Sequence, residues 1–388
     1  MKKIVINYTL LIVSFVMLLA LAYSIPNSFI QSKANHSISA ITEEGDYRLL
    51  NPEDYGSRLD NSTDRLMINT ALKGSANPLY EAMDNSNYAR YWHGTQIILR
   101  PLLMFISYTA IRQIYGFLLV LLIGLTFYFI LKKLDVFVAL SFLVSLMFVR
   151  FYTFFLSMQF SNIFVILFLA LIYLMSREDQ YFKKRYYIDF FIIVGAISNF
   201  VDLLTTPLIT LGVPLILIYY WKSKNEEPFL LDTVKQTLGN SILWGLGYGV
   251  TWGLKWIIAS LVLKRNIVLD AITQILFRTE GDKNWPVSRI RMLELNFNLM
   301  FNKLNILFLA MVLLAFIGFI VINRRNIKFK FNYFTAGILV TGLFPYAWYI
   351  ILANHSQIHF WFTYRLQYVS IFAVLAILSF YISEATKK

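Results

Sequence analysis

The sequence predicts an all-α protein, a polytopic transmembrane helical bundle that crosses the bilayer about ten times. Three observations lead there. Hydrophobic residues fill 58% of the 388 positions and charged residues only 15%, against roughly 45–50% and about 25% in soluble domains. The apolar residues gather into runs near the ~20 needed to cross a hydrocarbon core as a helix. Those runs extend from end to end, so one membrane domain over 1–388 is expected in place of several soluble ones.

Net charge is +13. The cations cluster in short patches between apolar runs, where they orient helices, and form no continuous face of the kind that binds nucleic acid. With no Cys, disulfides and thiolate catalysis are excluded. The abundance of Lys, Asn, Ile, Phe and Tyr fits an AT-rich genome and a bacterial plasma membrane.

Lys2 and Lys3 precede an apolar stretch over 4–23. It exceeds the roughly 7–15 residues of a signal core, so a retained first helix (5–24) is expected rather than a cleaved leader ending near Ala20-Leu21-Ala22. A polar stretch over 26–96 opens a first extracytoplasmic loop, 26–113, rich in Asp and Glu. Its last part, 99–111, lies between Arg100 and Arg112 and is too short to span; a helix in the outer interface is expected. Helix 2 (114–131) returns to Lys132-Lys133. Helices 3 and 4 form a hairpin over 136–175, followed by the basic turn 177–185. Helices 5 and 6 form another over 188–221, closed by Lys222, Lys224 and Lys235. Helix 7 (238–263) leads to a second external loop, 264–302. Helix 8 (304–322) ends on Arg324, Arg325, Lys328 and Lys330. Helices 9 (334–353) and 10 (366–382) flank a turn at 354–365 and finish at Lys387-Lys388. Each short inner turn carries Lys or Arg, as the positive-inside rule asks, with both termini cytoplasmic. No internal repeat is visible, which disfavours transporter folds built from inverted halves.

Ionisable groups at a membrane face are costly to retain without a task. Four clusters fall on the outer face in this topology. Asp60 and Asp64 flank Asn61-Ser62-Thr63; four residues apart, they would share one helix face, and either serves as a general base if an acceptor hydroxyl lies within reach. A solvated helix cap is the plainer alternative. Arg90-Tyr91-Trp92-His93-Gly94 and Arg100 combine guanidinium groups, which bind phosphate bidentately, with aromatic faces for a sugar; an aromatic belt is the alternative. Asp202, in Asn199-Phe200-Val201-Asp202 followed by Thr205-Thr206-Pro207, needs partners between two apolar helices, unless it only breaks a turn. Finally, His355 and His359 are spaced as metal ligands would be on a helix. No Cys or HExxH glutamate joins them, so together with Tyr364 and Arg365 they suit a phosphate or diphosphate better, or a structural interfacial turn.

One helix, a large external first loop with early Asp residues and an interfacial helix, then paired helices, resembles the GT-C class of membrane glycosyltransferases. The strings Arg90-Tyr91-Trp92-His93-Gly94, Asp202-Leu203-Leu204-Thr205 and Asn354-His355 through Tyr364-Arg365 are similar to those of uncharacterised bacterial members. The resemblance covers the layout of most of the chain. It implies transfer of a sugar from a polyprenyl-phosphate donor to a cell-envelope glycan or other acceptor on the outer face, by inverting displacement. It also implies Asp60 or Asp64 as base, a donor phosphate held by Arg365, His355 and Arg100, and Arg90, Trp92, His93, Asp202, His359 and Tyr364 as further donor contacts. The first loop has no Asp-x-Asp, so a divalent metal (Mg or Mn) is an open cofactor and no metal ligands are assigned. The rival readings are a lipid-linked polysaccharide polymerase or ligase, whose large external loops usually come later in the chain, and a lipid or sugar carrier, which would place polar residues on both faces.

Overall fold

A computed structural model describes residues 2–74, 77–85, 88–177, 184, 186–226, 229–323 and 333–386. It is a helical bundle. Seven helices are long and apolar enough to cross a membrane: Lys2–Tyr23, Tyr108–Lys133, Met158–Ser176, Leu230–Leu263, Lys303–Asn323, Tyr333–Ile351 and Phe360–Thr386. Three further apolar segments also fold as helices, Val136–Phe148, Ile188–Val201 and Ile209–Asn225. Every apolar run expected to form a helix does so, but Val136–Phe148 and Ile188–Val201 are shorter than a full span. At ~1.5 Å per residue each covers about 20 Å. They stop where polar turns at Arg150 and Asp202 drop into the bundle.

Burial separates centre from rim. Ile209–Asn225 is buried along nearly its whole length, whereas Lys303–Asn323 has no buried residue and forms an apolar outer wall. Ile188–Val201 lies against Leu230–Leu263 at close range because glycines face each other's backbone. A Cβ on Gly195 would come within 2.3 Å of the Trp244 carbonyl, and one on Gly247 within 2.1 Å of the Ile192 carbonyl. Backbone cannot yield as a side chain can, so Gly247→Ala is expected to cost about 1–3 kcal/mol and several degrees of melting temperature. Gly249→Ala, with open space around it, is the control that should melt like the wild type.

The polar segments gather at one end of the bundle. Residues 24–107 fold into Asn27–Glu44, Asn61–Ala71, Pro78–Asp84 and Gln96–Leu103. The piece expected as one interfacial helix over 99–111 is divided: Gln96–Leu103 ends and Tyr108 already begins the next long helix. Arg150 pairs with Asp54 at 3.0 Å and Arg112 with Glu44 at 2.8 Å, fastening this segment to the bundle. Helices Ile267–Glu280 and Arg289–Met300 join it, as does the 353–367 segment. The 353–367 segment is sewn to both helices, by Asn354 donating to the Phe277 carbonyl (2.7 Å) and by Asn296 donating to the Ser356 carbonyl (2.9 Å). At the opposite end Lys224 meets Asp135 at 2.7 Å and Lys222 meets Glu226 at 3.0 Å. Much of the basic turn 177–185, the 324–330 patch and Lys387-Lys388 lie outside the described residues.

Lys255 is fully buried in Leu230–Leu263 and donates to the carbonyls of Ala82 (3.2 Å) and Met83 (2.9 Å) near the end of Pro78–Asp84.

Candidate functional site

Asp60 and Asp64 share a segment but not a direction. Asp60 is the N-cap of Asn61–Ala71, with non-helical φ −110° and ψ 60°, and its carboxylate accepts from the Thr63 amide at 3.0 Å. Because it stands outside the helix, the one-face rule for residues four apart does not reach it. Asp64, inside the first turn, points into the bundle and accepts from the Gln159 amide at 2.9 Å, with Arg112, Tyr108 and Ser157 around it. Burial raises the Asp64 carboxyl in spite of Arg112. Burial also pushes Asp60 up to about 7, outweighing its hydrogen bonds from Thr63.

Asp60 faces a cavity of about 110 Å³ whose other polar walls are Thr63, Gln159, Arg278, His355 and His359. Tyr47, Tyr88, Trp361 and Phe362 add aromatic faces, and Leu66 and Leu203 close it. The cavity is partly open, and its enclosed part has room for a few waters. At its rim Arg58 stacks between Tyr47 (4.1 Å) and Trp361 (4.6 Å).

His355 organises the cationic side. Arg278 Nη1 lies 2.7 Å from His355 Nδ1, and His355 Nε2 lies 2.9 Å from the Leu204 carbonyl. A guanidinium only donates and a carbonyl only accepts, so His355 is the neutral Nε2–H tautomer, with Nδ1 holding the arginine. Leu204 presents that carbonyl from a left-handed backbone, φ 68°. The turn is tied by Asp202, whose carboxylate oxygens accept from the Thr205 amide at 2.9 and 3.1 Å. Asp202 is buried, which pushes it up to about 7 against those hydrogen bonds. A chain of contacts thus runs from Asp202 through Leu204 and His355 to Arg278.

His359 packs on Phe362, with its ring centroid 4.9 Å from that of His355. The spacing does put both rings on one side, but both nitrogens of His355 are engaged, which leaves it no lone pair for a metal. Among the described residues no three of His, Asp and Glu converge. Asp60 is the cavity's carboxylate and Arg278 supplies its positive charge, a set that fits an arginine-held phosphate better than a metal-held one.

The remaining sequence candidates sit elsewhere. Arg90 lies over Tyr88 (4.1 Å) and faces Asp270 at 3.4 Å. Trp92 is buried and donates to the Thr251 carbonyl at 3.0 Å. His93 is buried, with φ 53° and no well-formed hydrogen bond at either nitrogen; burial, then Lys255, drives it down to about 3. Arg100 donates to the carbonyls of Ala22 (2.8 Å), Ile25 (2.6 Å) and Ala71. Tyr364 donates to the Gly56 carbonyl at 3.1 Å. Arg365, wholly buried, donates to the carbonyls of Val149, Trp361 and Gly56. Neither Arg100 nor Arg365 has its guanidinium turned toward the cavity; both serve backbone carbonyls freed at chain turns. The sequence reading passed over Arg278, Gln159 and Tyr88. Arg278's one signal is a cation late in an apolar helix, two residues past Leu276 and before Gly281, which many surface helices share.

Burial, with Arg278 and Arg58 adding to it, lowers His359 to about 4. Its unfolded value is about 6.5, so unfolding takes up a proton between those limits. The stability tied to this neutral ring is full above about 6.5 and is lost as pH falls toward 4. Asp60 and Asp202 act with the opposite sign over much of the same range, so the variant difference is the clean readout. Between pH 7 and pH 5, His359→Gln should lose less melting temperature than the wild type.

Comparison with protein-family models, curated proteins and solved structures finds no match to this chain.

Proposed function

We propose that this membrane protein is a glycosyltransferase, moving a sugar from a polyprenyl-phosphate donor to a cell-envelope glycan or other hydroxyl acceptor at the outer face of the membrane. The observation that carries the reading is the cavity itself. One buried carboxyl, one arginine held in place by a neutral histidine, and aromatic walls meet at the polar end of an apolar helical bundle. A lipid-anchored phosphate reaches such a place from the membrane side, and the acceptor arrives from water.

In the reaction the acceptor hydroxyl oxygen attacks the anomeric carbon and the bond from that carbon to the phosphate oxygen breaks. The electron pair leaves with the lipid phosphate, and the hydroxyl proton passes to ionised Asp60. Arg278 faces the charge that develops on the leaving phosphate; a preplaced cation in a water-poor site acts most strongly on the transition state. Attack opposite the leaving group inverts the anomeric centre. His355 holds Arg278 in position and takes no proton.

The test uses purified protein in lipid nanodiscs with polyprenyl-phosphate hexoses and N-acetylhexosamines and a panel of glycan acceptors, scoring free lipid phosphate with and without EDTA. Release that depends on the donor and falls about 100-fold or more in Arg278→Ala, at unchanged melting temperature, is the expected result. No release from any donor, or full release by Arg278→Ala, would overturn the proposal. Consumption of a lipid-diphosphate oligosaccharide instead would move the chain to the polymerase or ligase class.

A further inference from the structure

The mouth of the cavity holds an arginine whose donors are largely uncommitted. Two lips make this mouth. One is the 47–58 stretch, folded back on itself by an antiparallel bridge between Leu49 and Arg58 and by the Leu59 amide, which donates to the Arg48 carbonyl at 2.9 Å. The other is the 359–361 segment. They meet through aromatic rings: Tyr47 stands edge-on to Trp361 at 5.5 Å, and Tyr55 stacks on Phe360 at 5.5 Å. Tyr47 and Trp361 also line the cavity. Tyr47 and Tyr55 are 45% and 41% exposed, beside the exposed polar residues Asn51 and Glu53, so the mouth opens on water rather than on lipid.

Arg58 lies in the corner of these rings, its Cζ 4.1 Å from Tyr47, 4.6 Å from Trp361 and 5.3 Å from Tyr55. Contact of a cation with ring faces holds the charge and uses up no N–H. Arg58 donates to the Tyr55 hydroxyl and its Nε has no hydrogen bond. Among the described residues it makes neither a hydrogen bond to a carbonyl nor an ion pair; Glu44, Asp46 and Asp54 of the same loop pair with Arg112, Arg65 and Arg150 instead. Arg100 and Arg365 show what a stitching arginine does in this fold, since both turn their forks onto backbone carbonyls. Arg58 does not. A guanidinium held in place with its donors open suits an anion, and it grips a carboxylate or a phosphate bidentately.

Position narrows which anion. Residues two apart in an extended stretch face the same side, and Asp60 follows Arg58 by two; the Arg58 charge acts on the Asp60 carboxyl. Arg278 comes from a different element, Ile267–Glu280, and is held there by His355. In the transfer proposed above the leaving phosphate faces Arg278 and the attacking hydroxyl faces Asp60, so Arg58 stands on the attacking side. It is about 6–7 Å along the chain from the base, the scale of one sugar ring. A charged group on the sugar that carries the attacking hydroxyl can meet Arg58 while that hydroxyl is at Asp60, and Tyr47 offers the ring a flat apolar face.

We propose that Arg58, Tyr47, Tyr55 and Trp361 form the acceptor subsite, and that it selects an acidic saccharide, a sugar ring bearing a carboxylate or a phosphate. The inference rests on the sugar-transfer reading for the role of the bound saccharide.

The test measures binding of gluco-oligosaccharides to the protein in nanodiscs of zwitterionic lipid, without donor and at low salt. The oligosaccharides share one length and linkage and come in three forms: neutral, carrying glucuronate, and carrying a 6-phosphate. At least one acidic form should bind about tenfold or more tighter than the neutral one, and the preference should shrink as salt rises; the tighter acid names the anion. Arg58→Gln should abolish the preference and, because Arg58 is half-buried at the surface, melt within a few degrees of the wild type. Tyr47→Ala should weaken acidic and neutral forms alike. No binding of any form, no preference for either acid, or a preference that survives in Arg58→Gln would overturn the proposal. Should Arg58→Gln not accumulate, Arg58→Lys keeps the charge without the planar fork, and an undiminished preference there would overturn it as well. With no donor present the result is independent of turnover. Arg58-dependent binding of an acid without any lipid phosphate release would leave the subsite and sink the transferase, whereas release equally fast to neutral and acidic acceptors would do the reverse.

Discussion

Asp60→Asn is expected to lower sugar transfer by about 10²–10⁴-fold while the protein folds as well as before or slightly better. The two halves of the expectation have different causes. Asn retains a side-chain oxygen to accept from the Thr63 amide, as Asp60 does at 3.0 Å, so the cap of Asn61–Ala71 is kept. What is lost is the capacity to take a proton. Burial holds the Asp60 carboxyl near pH 7, far above its unfolded range near 3.9. As pH rises through that interval the unfolded chain gives up its proton first, so the native state loses stability from about pH 4 to 7. Asn has no proton to give up, and above neutrality the variant should melt no lower than the wild type. Activity runs the other way in the proposed mechanism: its base must be ionised, so wild-type transfer is expected to climb as pH passes through about 7. Asp64→Asn is the matched control. Asp64 points into the bundle beside Arg112 and accepts from Gln159, away from the cavity, and folded molecules of the variant should still turn over. Wild-type turnover by Asp60→Asn would remove the carboxylate from the mechanism.

The bundle was legible because the bilayer is a demanding solvent. Every backbone group crossing it must be satisfied within a helix, so apolar run length carries almost the whole message, and the helices fall on the runs. The sharing of one end by the polar clusters followed from the same alternation. What the sequence does not encode is which partner a polar group finds. Asp60 and Asp64 looked like one helical face, yet one of them caps the helix instead of joining it. The two His residues did land on one side, as their spacing required, but His355 spends one nitrogen on the Leu204 carbonyl and the other on Arg278. Arg100, Arg278 and Arg365 are alike in sequence, each a cation in a largely apolar stretch. Only the fold separates the arginine that faces a cavity from the two that stitch chain segments, and a fork of five donors suits phosphate oxygens and carbonyls equally well.

Arg365 makes that distinction measurable. Its guanidinium donates to Val149 (3.3 Å), Trp361 (3.2 Å) and Gly56 (3.1 Å) carbonyls and to Thr153 Oγ1 (3.1 Å), with the Phe160 ring 4.2 Å away. These acceptors lie in the first loop, in the turn after Val136–Phe148 and on its own segment. Arg365→Ala would leave a cavity and three buried carbonyls with a donor missing, each worth about 1–3 kcal/mol, though such losses do not add simply. Against a total stability of about 5–15 kcal/mol, the expected result is a melting temperature lower by ten degrees or more, or a protein that fails to accumulate. Arg365→Lys should recover part of the loss, since an ammonium reaches some of these oxygens but lacks the planar fork. A phosphate-binding arginine would behave differently: its removal would raise KM for the lipid donor and leave the melting temperature alone. Gly56 also decides how far the damage travels. It lies between Asp54, which pairs with Arg150, and Arg58 at the rim of the cavity, four residues before Asp60. Unlatching Gly56 from Arg365 therefore loosens the stretch that presents Asp60, the proposed base, and transfer should fall together with stability.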